Sequence, residues 1–239
     1  MTQQTNPSVL DRNIAPQLRP IDHISFVAPA IYTLKSGAKL FWRNGLQNET
    51  SKIELHFAAG SATGDPLTAS LCAGLLINGT AEKSAKQIQN ALDAVGAYYD
   101  VSLSQETAVV TVYALKDQLL KAYQIFHQSL FAATFPPKEL QELVHERSQK
   151  FKVQQQKVSF MAQRHFQRSL FAGSVYAQQI QIEDFQNAER SAIQAFHQQH
   201  YLNGLKKVFL VGDLTTETLS FFEVLLNAYE CELPEPAPF

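Results

Sequence analysis

Lys52-Ile53-Glu54-Leu55-His56-Phe57 alternates polar and apolar side chains with a period of two, and Leu67, Leu71, Leu75 and Leu76 then recur at helical spacing. A period of two buries one face of a strand, whereas a period of about 3.6 buries one stripe of a helix. So close a succession of the two requires a helix layer laid on a sheet. The helix is predicted over 67–76, filled in by Ala69, Cys72 and Ala73, and ends near Asn78-Gly79.

The rest of the chain extends this pattern. Tyr32–Leu34 and Ala38–Trp42 are rich in β-forming residues, and Arg43-Asn44-Gly45-Leu46 carries an Asn-Gly turn signal, which predicts a hairpin leading into the strand at Lys52. Lys86–Val95 reads as a second helix with Ile88, Leu92 and Val95 on one face and Gly96 as a left-handed cap. Ala97–Leu103 and Ala108–Ala114 form a further hairpin across Ser104-Gln105-Glu106-Thr107. Helices follow at Asp117–Phe131, from about Lys138 behind Pro136-Pro137, at Phe160–Leu170 and at Glu189–His200. A late strand at Lys207–Val211, closed by Gly212-Asp213, precedes a last helix at Thr216–Ala228. The polar run Glu142–Lys157, with Gln154-Gln155-Gln156 inside it, is a solvated helix face or a helix break. Hairpins exclude an all-parallel sheet, and the late strand must return to the earlier ones. The order predicts an α+β sandwich, a mainly antiparallel sheet with helices packed on one face.

Composition narrows the function classes. With 20 basic and 22 acidic residues among 239, and 45% hydrophobic residues, the chain has an ordinary core content and no electrostatic footprint for nucleic acid or an anionic membrane. Two cysteines, Cys72 and Cys231, are too few for a disulfide framework or a four-cysteine zinc site, although one bridge remains open. The first residues lack the basic, apolar and small-residue segments of a secretory signal, and no apolar run reaches the length of about 18 residues that spans a bilayer. A cytoplasmic location is expected. Pro7, Pro16, Pro20 and Pro29 predict an extended leader over 1–31, the domain occupies 32–229, and the Pro- and acid-rich 230–239 reads as a tail or as a linker to a second domain.

Local chemical motifs are sparse. His56 lies on the polar side of its strand and His127 near the apolar edge of its helix, which is the ordinary setting of structural histidines. His197 and His200 share a helix face but have no nearby carboxylate or cysteine at ligand spacing. His145-Glu146-Arg147-Ser148-Gln149 begins like the zinc motif His-Glu-x-x-His, yet glutamine stands where the second imidazole belongs. No phosphate loop, dinucleotide fingerprint or Gly-x-Ser-x-Gly elbow occurs.

Short words at the element ends, taken in order, carry a resemblance. These are Leu40-Phe41-Trp42-Arg43-Asn44-Gly45-Leu46, Phe57-Ala58-Ala59-Gly60-Ser61, Leu76-Ile77-Asn78-Gly79-Thr80, Leu92-Asp93-Ala94-Val95-Gly96-Ala97, Phe135-Pro136-Pro137-Lys138-Glu139, Glu146-Arg147, and Tyr201 with Val208–Asp213. Over about Leu40 to Ala228 they resemble one domain of the M16 peptidases, the inverzincin family of pitrilysin, insulin-degrading enzyme and the mitochondrial processing peptidase. In active members of that family the helix before Gly-Thr carries His-x-x-Glu-His, whose histidines bind Zn²⁺ with a glutamate from a later helix while the inner Glu activates water. Counted back from Gly79-Thr80, the five positions are Ser70-Leu71-Cys72-Ala73-Gly74. Ser70 and Gly74 stand for the ligands, Ala73 stands for the base, and the third ligand falls near Lys150–Val153, about Val153, where no carboxylate exists.

The resemblance therefore implies a domain without zinc and without catalytic residues. Cys72 points about 200° around the helix from Ser70 and is expected to be a buried small hydrophobe. The small and apolar run Leu67–Leu76 is expected to close the former solvent cavity, and Gly74, which costs about 1 kcal/mol in a helix interior, implies close contact there. M16 proteins pair homologous halves around a chamber, and commonly one half holds the zinc. The expected function is a non-catalytic part of a peptide-processing chamber, completed by an M16 partner with an intact zinc site. The resemblance also suggests that peptide adds as a strand along Ala97–Ser104, with Ala97, Tyr98, Tyr99, Val101, Leu103 and Ser104 as the nearest counterparts. Two other readings remain open at this stage: a zinc-dependent peptidase with unrecognised ligands, and a stand-alone interaction scaffold.

Overall fold

The computed structural model describes residues 27–45 and 48–230. Most of the expected leader and all but the first residue of the expected tail lie outside the described residues. The first strand, β1 (Ala30–Thr33), starts inside the stretch expected to be leader and pairs antiparallel with β2 (Lys39–Arg43) across a turn at Gly37, whose φ is 82°.

β3 (Thr50–Phe57) is the alternating strand: Ile53, Leu55 and Phe57 are fully buried, while Lys52, Glu54 and His56 stay half-exposed. It is followed by α1 (Pro66–Leu75) and α2 (Ala85–Asp93), then by the hairpin β4 (Tyr98–Leu103) and β5 (Ala108–Leu115). Next come α3 (Leu119–Phe131), α4 (Pro137–Gln155), α5 (Val158–Leu170), α6 (Arg190–His197), β6 (Leu205–Val211) and α7 (Thr216–Leu226). The sheet order is β1-β2-β6-β3-β5-β4, with β2 and β6 parallel and every other pair antiparallel. This is the expected α+β sandwich.

One expected hairpin is overturned. β2 and β3 do not pair across Asn44-Gly45, because β6 lies between them. The Asn44 side chain is spent elsewhere: its amide donates to the carbonyl of Leu214 at 2.8 Å and its oxygen accepts from the Leu214 amide at 3.0 Å. Asn44 thus clamps the exit of the inserted strand, and Gly45, with φ of 79°, turns the chain away from it.

Helix limits follow local chemistry. Asp65 caps α1 by accepting from the Thr68 amide at 2.7 Å, with Pro66 at the first position. Ser84 and Gln87 form a capping box at the start of α2, and Gly96, with φ of 61°, follows that helix as the left-handed residue. α4 continues through the start of the glutamine run and ends at Gln155, so the polar stretch is a solvated face that then breaks. α6 widens into a π turn over Gln198–Leu202. Among the described residues no helix is long and apolar enough to cross a membrane.

Candidate functional site: a cleft between α1 and the edge strand

Leu67, Leu71, Cys72 and Leu75 turn α1 into the core. Cys72 is completely buried, and burial pushes its thiol well above the ordinary range, as expected for an inert hydrophobe. Ser70 and Gly74, one turn apart, occupy the remaining face and look toward α4 and β4. With Ala73, Asn78, Arg147 and the length of β4 they line a cleft of about 410 Å³. The expected closure of this cavity is therefore overturned: the small side chains of Ser70, Ala73 and Gly74 leave space that the surrounding helices do not fill.

What enters that space comes from α4. The Arg147 guanidinium donates from Nη1 to Ser70 Oγ, and a Cβ built on Gly74 would collide with Nη2 and would sit 2.9 Å from Leu143 Cδ2. The close contact implied by Gly74 is thus real, and it is made by side chains of α4. Arg147 is half-buried; burial pulls its pKa below the ordinary arginine value, while neighbouring Glu146 opposes the shift.

The third expected position, about Val153, faces outward. Val153 is 58% exposed, whereas Phe151 and Gln154 lie on the side of α4 that shares a second cavity with Ser70 and Leu103. Leu140, Leu143, Arg147 and Phe151 follow the i, i+3, i+7, i+11 stripe that faces α1, so within the expected range Lys150–Val153 it is Phe151 that turns inward. Sequence reasoning missed Arg147; that stripe is the signal that could have singled it out, as a charged residue on an otherwise apolar face, though not what it meets.

β4 is the edge of the sheet, as expected. Ala97 and Ser104 flank it without belonging to it. Tyr99, Val101 and Leu103 pack against the core, and Tyr98, 64% exposed, projects from the other face beside Tyr113. Gly60 starts the loop between β3 and α1, which packs on the β4–β5 turn. The Ser61 and Ala62 amides donate to the carbonyls of Ser104 and Gln105 at 2.9 and 2.7 Å, which pins the β3–α1 loop on the β4–β5 turn.

The histidines are in structural settings. His56 contacts Glu54 at 2.7 Å, His127 meets the carbonyl of Leu225, His200 meets that of Ala58, and His197 is buried against Phe135. His145 and Gln149 lie on the exposed side of α4. Among the described residues no three His, Cys, Asp or Glu side chains converge as a metal-ligand group.

Comparison with known proteins adds the following. The family model described as Insulinase (Peptidase family M16) matches residues 42–181. No curated protein matches the sequence. A solved structure of a peptidase M16 inactive domain from Pseudomonas fluorescens is similar at 22% identity and a TM-score of 0.81, over 89% of this chain and 53% of that one. A protease from Helicobacter pylori is similar at 14% identity and a TM-score of 0.76, over 89% and 54%. A mutant of the ferredoxin protease FusC in complex with Arabidopsis ferredoxin is similar at 15% identity and a TM-score of 0.72, over 99% and 28%. The chain spans about half the length of the first two and less of the third.

Proposed function

The chain belongs to peptidase family M16, and from that premise we propose that it is a non-catalytic M16 domain which forms part of a peptide-processing chamber together with a zinc-bearing homologous partner. One observation carries the reading. The guanidinium of Arg147 stands against Ser70 and Gly74, the two positions that the resemblance assigns to the first two zinc ligands of an active member.

Ser70, Ala73 and Gly74 do not fit a zinc ion. A catalytic zinc takes three protein ligands, commonly imidazole or carboxylate. Here the pair offers one neutral hydroxyl, already accepting from a cation, and a glycine without a side chain. A fixed positive charge at that point repels a divalent metal. No hydrolytic step is derived through zinc for this chain.

Assembly is supported by surface. The similar structures are longer chains, one of them described as an inactive domain. An open sheet edge and a cleft lie together on this domain, which suits an extended peptide held by strand addition along β4. The expected compartment is the cytoplasm.

Metal analysis and co-expression test the reading. The purified chain is expected to carry substoichiometric zinc and to cleave no peptide, and to co-purify with a His-x-x-Glu-His homologue whose cleavage it enhances. Stoichiometric zinc whose removal by chelator abolishes hydrolysis would overturn the non-catalytic reading. A chain that stays monomeric beside such homologues and never enhances their cleavage would leave an isolated scaffold instead.

A further inference from the structure

Arg147 is a half-buried cation without a counter-ion: among the described residues no carboxylate forms an ion pair with it. A charge removed from water is costly unless it is paired and hydrogen-bonded. Its one hydrogen bond within the described residues runs from Nη1 to Ser70 Oγ, so Nε and Nη2 have no acceptor there. The other arginine in this region is differently placed. Arg164 donates to the Ile180 carbonyl at 2.8 Å and lies over the rings of Phe151 and Phe160, so its guanidinium already has partners.

The surroundings of Arg147 select the ligand. The guanidinium lines the 410 Å³ cleft, a volume typical of small-ligand sites, and the outer edge of β4 forms the opposite wall. Ser70 accepts one N–H of the guanidinium and keeps its own hydroxyl proton to donate. A guanidinium fork with a hydroxyl beside it matches the planar geometry and charge of a carboxylate. Two acids also line the cleft and do not fill this role. Asp93 accepts from Gln89 at 2.8 Å, and Asp100 is exposed and alternates with Val101 onto the other face of the strand.

We propose that Arg147 and Ser70 form a carboxylate-binding site, which receives an acidic side chain or the terminal carboxylate of a peptide lying along β4. A bound anion thus takes the place where active relatives hold a metal cation, and the polarity of the site is reversed. The inference rests on the proposed peptide-binding role only for the identity of the molecule that carries the carboxylate.

The test uses the full chain and fluorescent ten-residue Thr/Val/Ser peptides. One peptide has a central Glu, its twin has Gln there, and each is made with a free and an amidated C-terminus. Wild type is expected to bind a carboxylate-bearing peptide about tenfold tighter than the neutral amidated one, and the preference is expected to vanish in Arg147→Met. The Glu-to-Gln and acid-to-amide arms separate the side-chain source from the terminal one. In parallel, sodium acetate alone is titrated against the Arg147 Nε–Hε resonance, which is expected to shift and saturate.

Equal affinities for charged and neutral peptides on wild type, together with an unmoved Arg147 resonance, overturn the carboxylate site and leave the peptide cleft standing. Acetate binding without any peptide binding upholds the site and removes the strand-addition reading. A preference for acidic peptides that persists undiminished in Arg147→Met also overturns the assignment to this arginine. Since the peptide and acetate arms on wild type need no substitution, a Met variant that fails to fold leaves the question decidable.

Discussion

At the scale of single residues, the site is governed by what is small. Gly74 admits the Arg147 guanidinium, and any side chain there must displace it. Gly60 is more demanding, because a Cβ at this position would collide with the Gln105 carbonyl oxygen and the Glu106 carbonyl carbon, which are backbone atoms that cannot swing aside. Gly60→Ala is therefore expected to destabilise the domain by about 2–3 kcal/mol, the upper part of the range for overpacking. Chemical denaturation with an unchanged m-value checks this; a loss below about 0.5 kcal/mol would mean that the β4–β5 turn yields freely. Of these features, the small side chains of Ser70, Ala73 and Gly74 were legible in the sequence, because residue identity is read directly from the chain. The part played by Arg147 was not, because a side chain from a distant helix fills a space that the linear chain does not reveal.

At the scale of elements, β4 and α4 decide where the cleft lies. Among the described residues β4 has one neighbour in the sheet, β5, so the amide and carbonyl groups of its outer edge are available to a further strand. Peptide addition along that edge predicts a specific hydrogen-exchange result. Alternate amides of Tyr98–Leu103 are expected to exchange quickly in the free chain and to gain at least tenfold protection when a bound peptide is present, while β3 amides, already paired on both sides, change little. Protection that appears on α5 and leaves β4 unchanged would move the peptide off the strand. The strand itself was readable as one arm of the hairpin across Ser104-Gln105-Glu106-Thr107, and its edge position came from the resemblance. The register of α4 needed the structure, since Val153 and Phe151 are two residues apart in a polar run and only packing against α1 decides which of them turns inward. Asn44-Gly45 makes the same point from the other side. A sound turn signal predicted the wrong pairing because the asparagine side chain hydrogen-bonds to the segment after β6, far along the chain.

At the scale of the whole molecule, β6 closes the sheet between β2 and β3, bringing residues near the end of the described chain into its centre. The helix layer over this sheet buries neutral histidines, which makes stability depend on pH. Burial lowers His197 from 6.5 to about 4, although a hydrogen bond to the Leu130 carbonyl opposes the shift, and His127 and His200 are lowered in the same direction. A group depressed in the folded state binds fewer protons there than when unfolded, so stability is fully present above pH 6.5 and is lost as pH falls toward 4. The contribution of His197 is at most about 3 kcal/mol across that window. Unfolding midpoints are expected to fall from pH 6.5 to 4, with a shallower slope in His197→Phe; an identical slope in that variant would exclude His197 as a source. By itself the sequence determined the layer architecture, through its switch between periods of two and 3.6, and the small residue types on the cleft face of α1, because both are local properties of the chain. The tertiary structure alone decided the strand order, the open cleft and the entry of Arg147 into it, because each depends on long-range packing between elements whose separation in sequence carries no record of their contact.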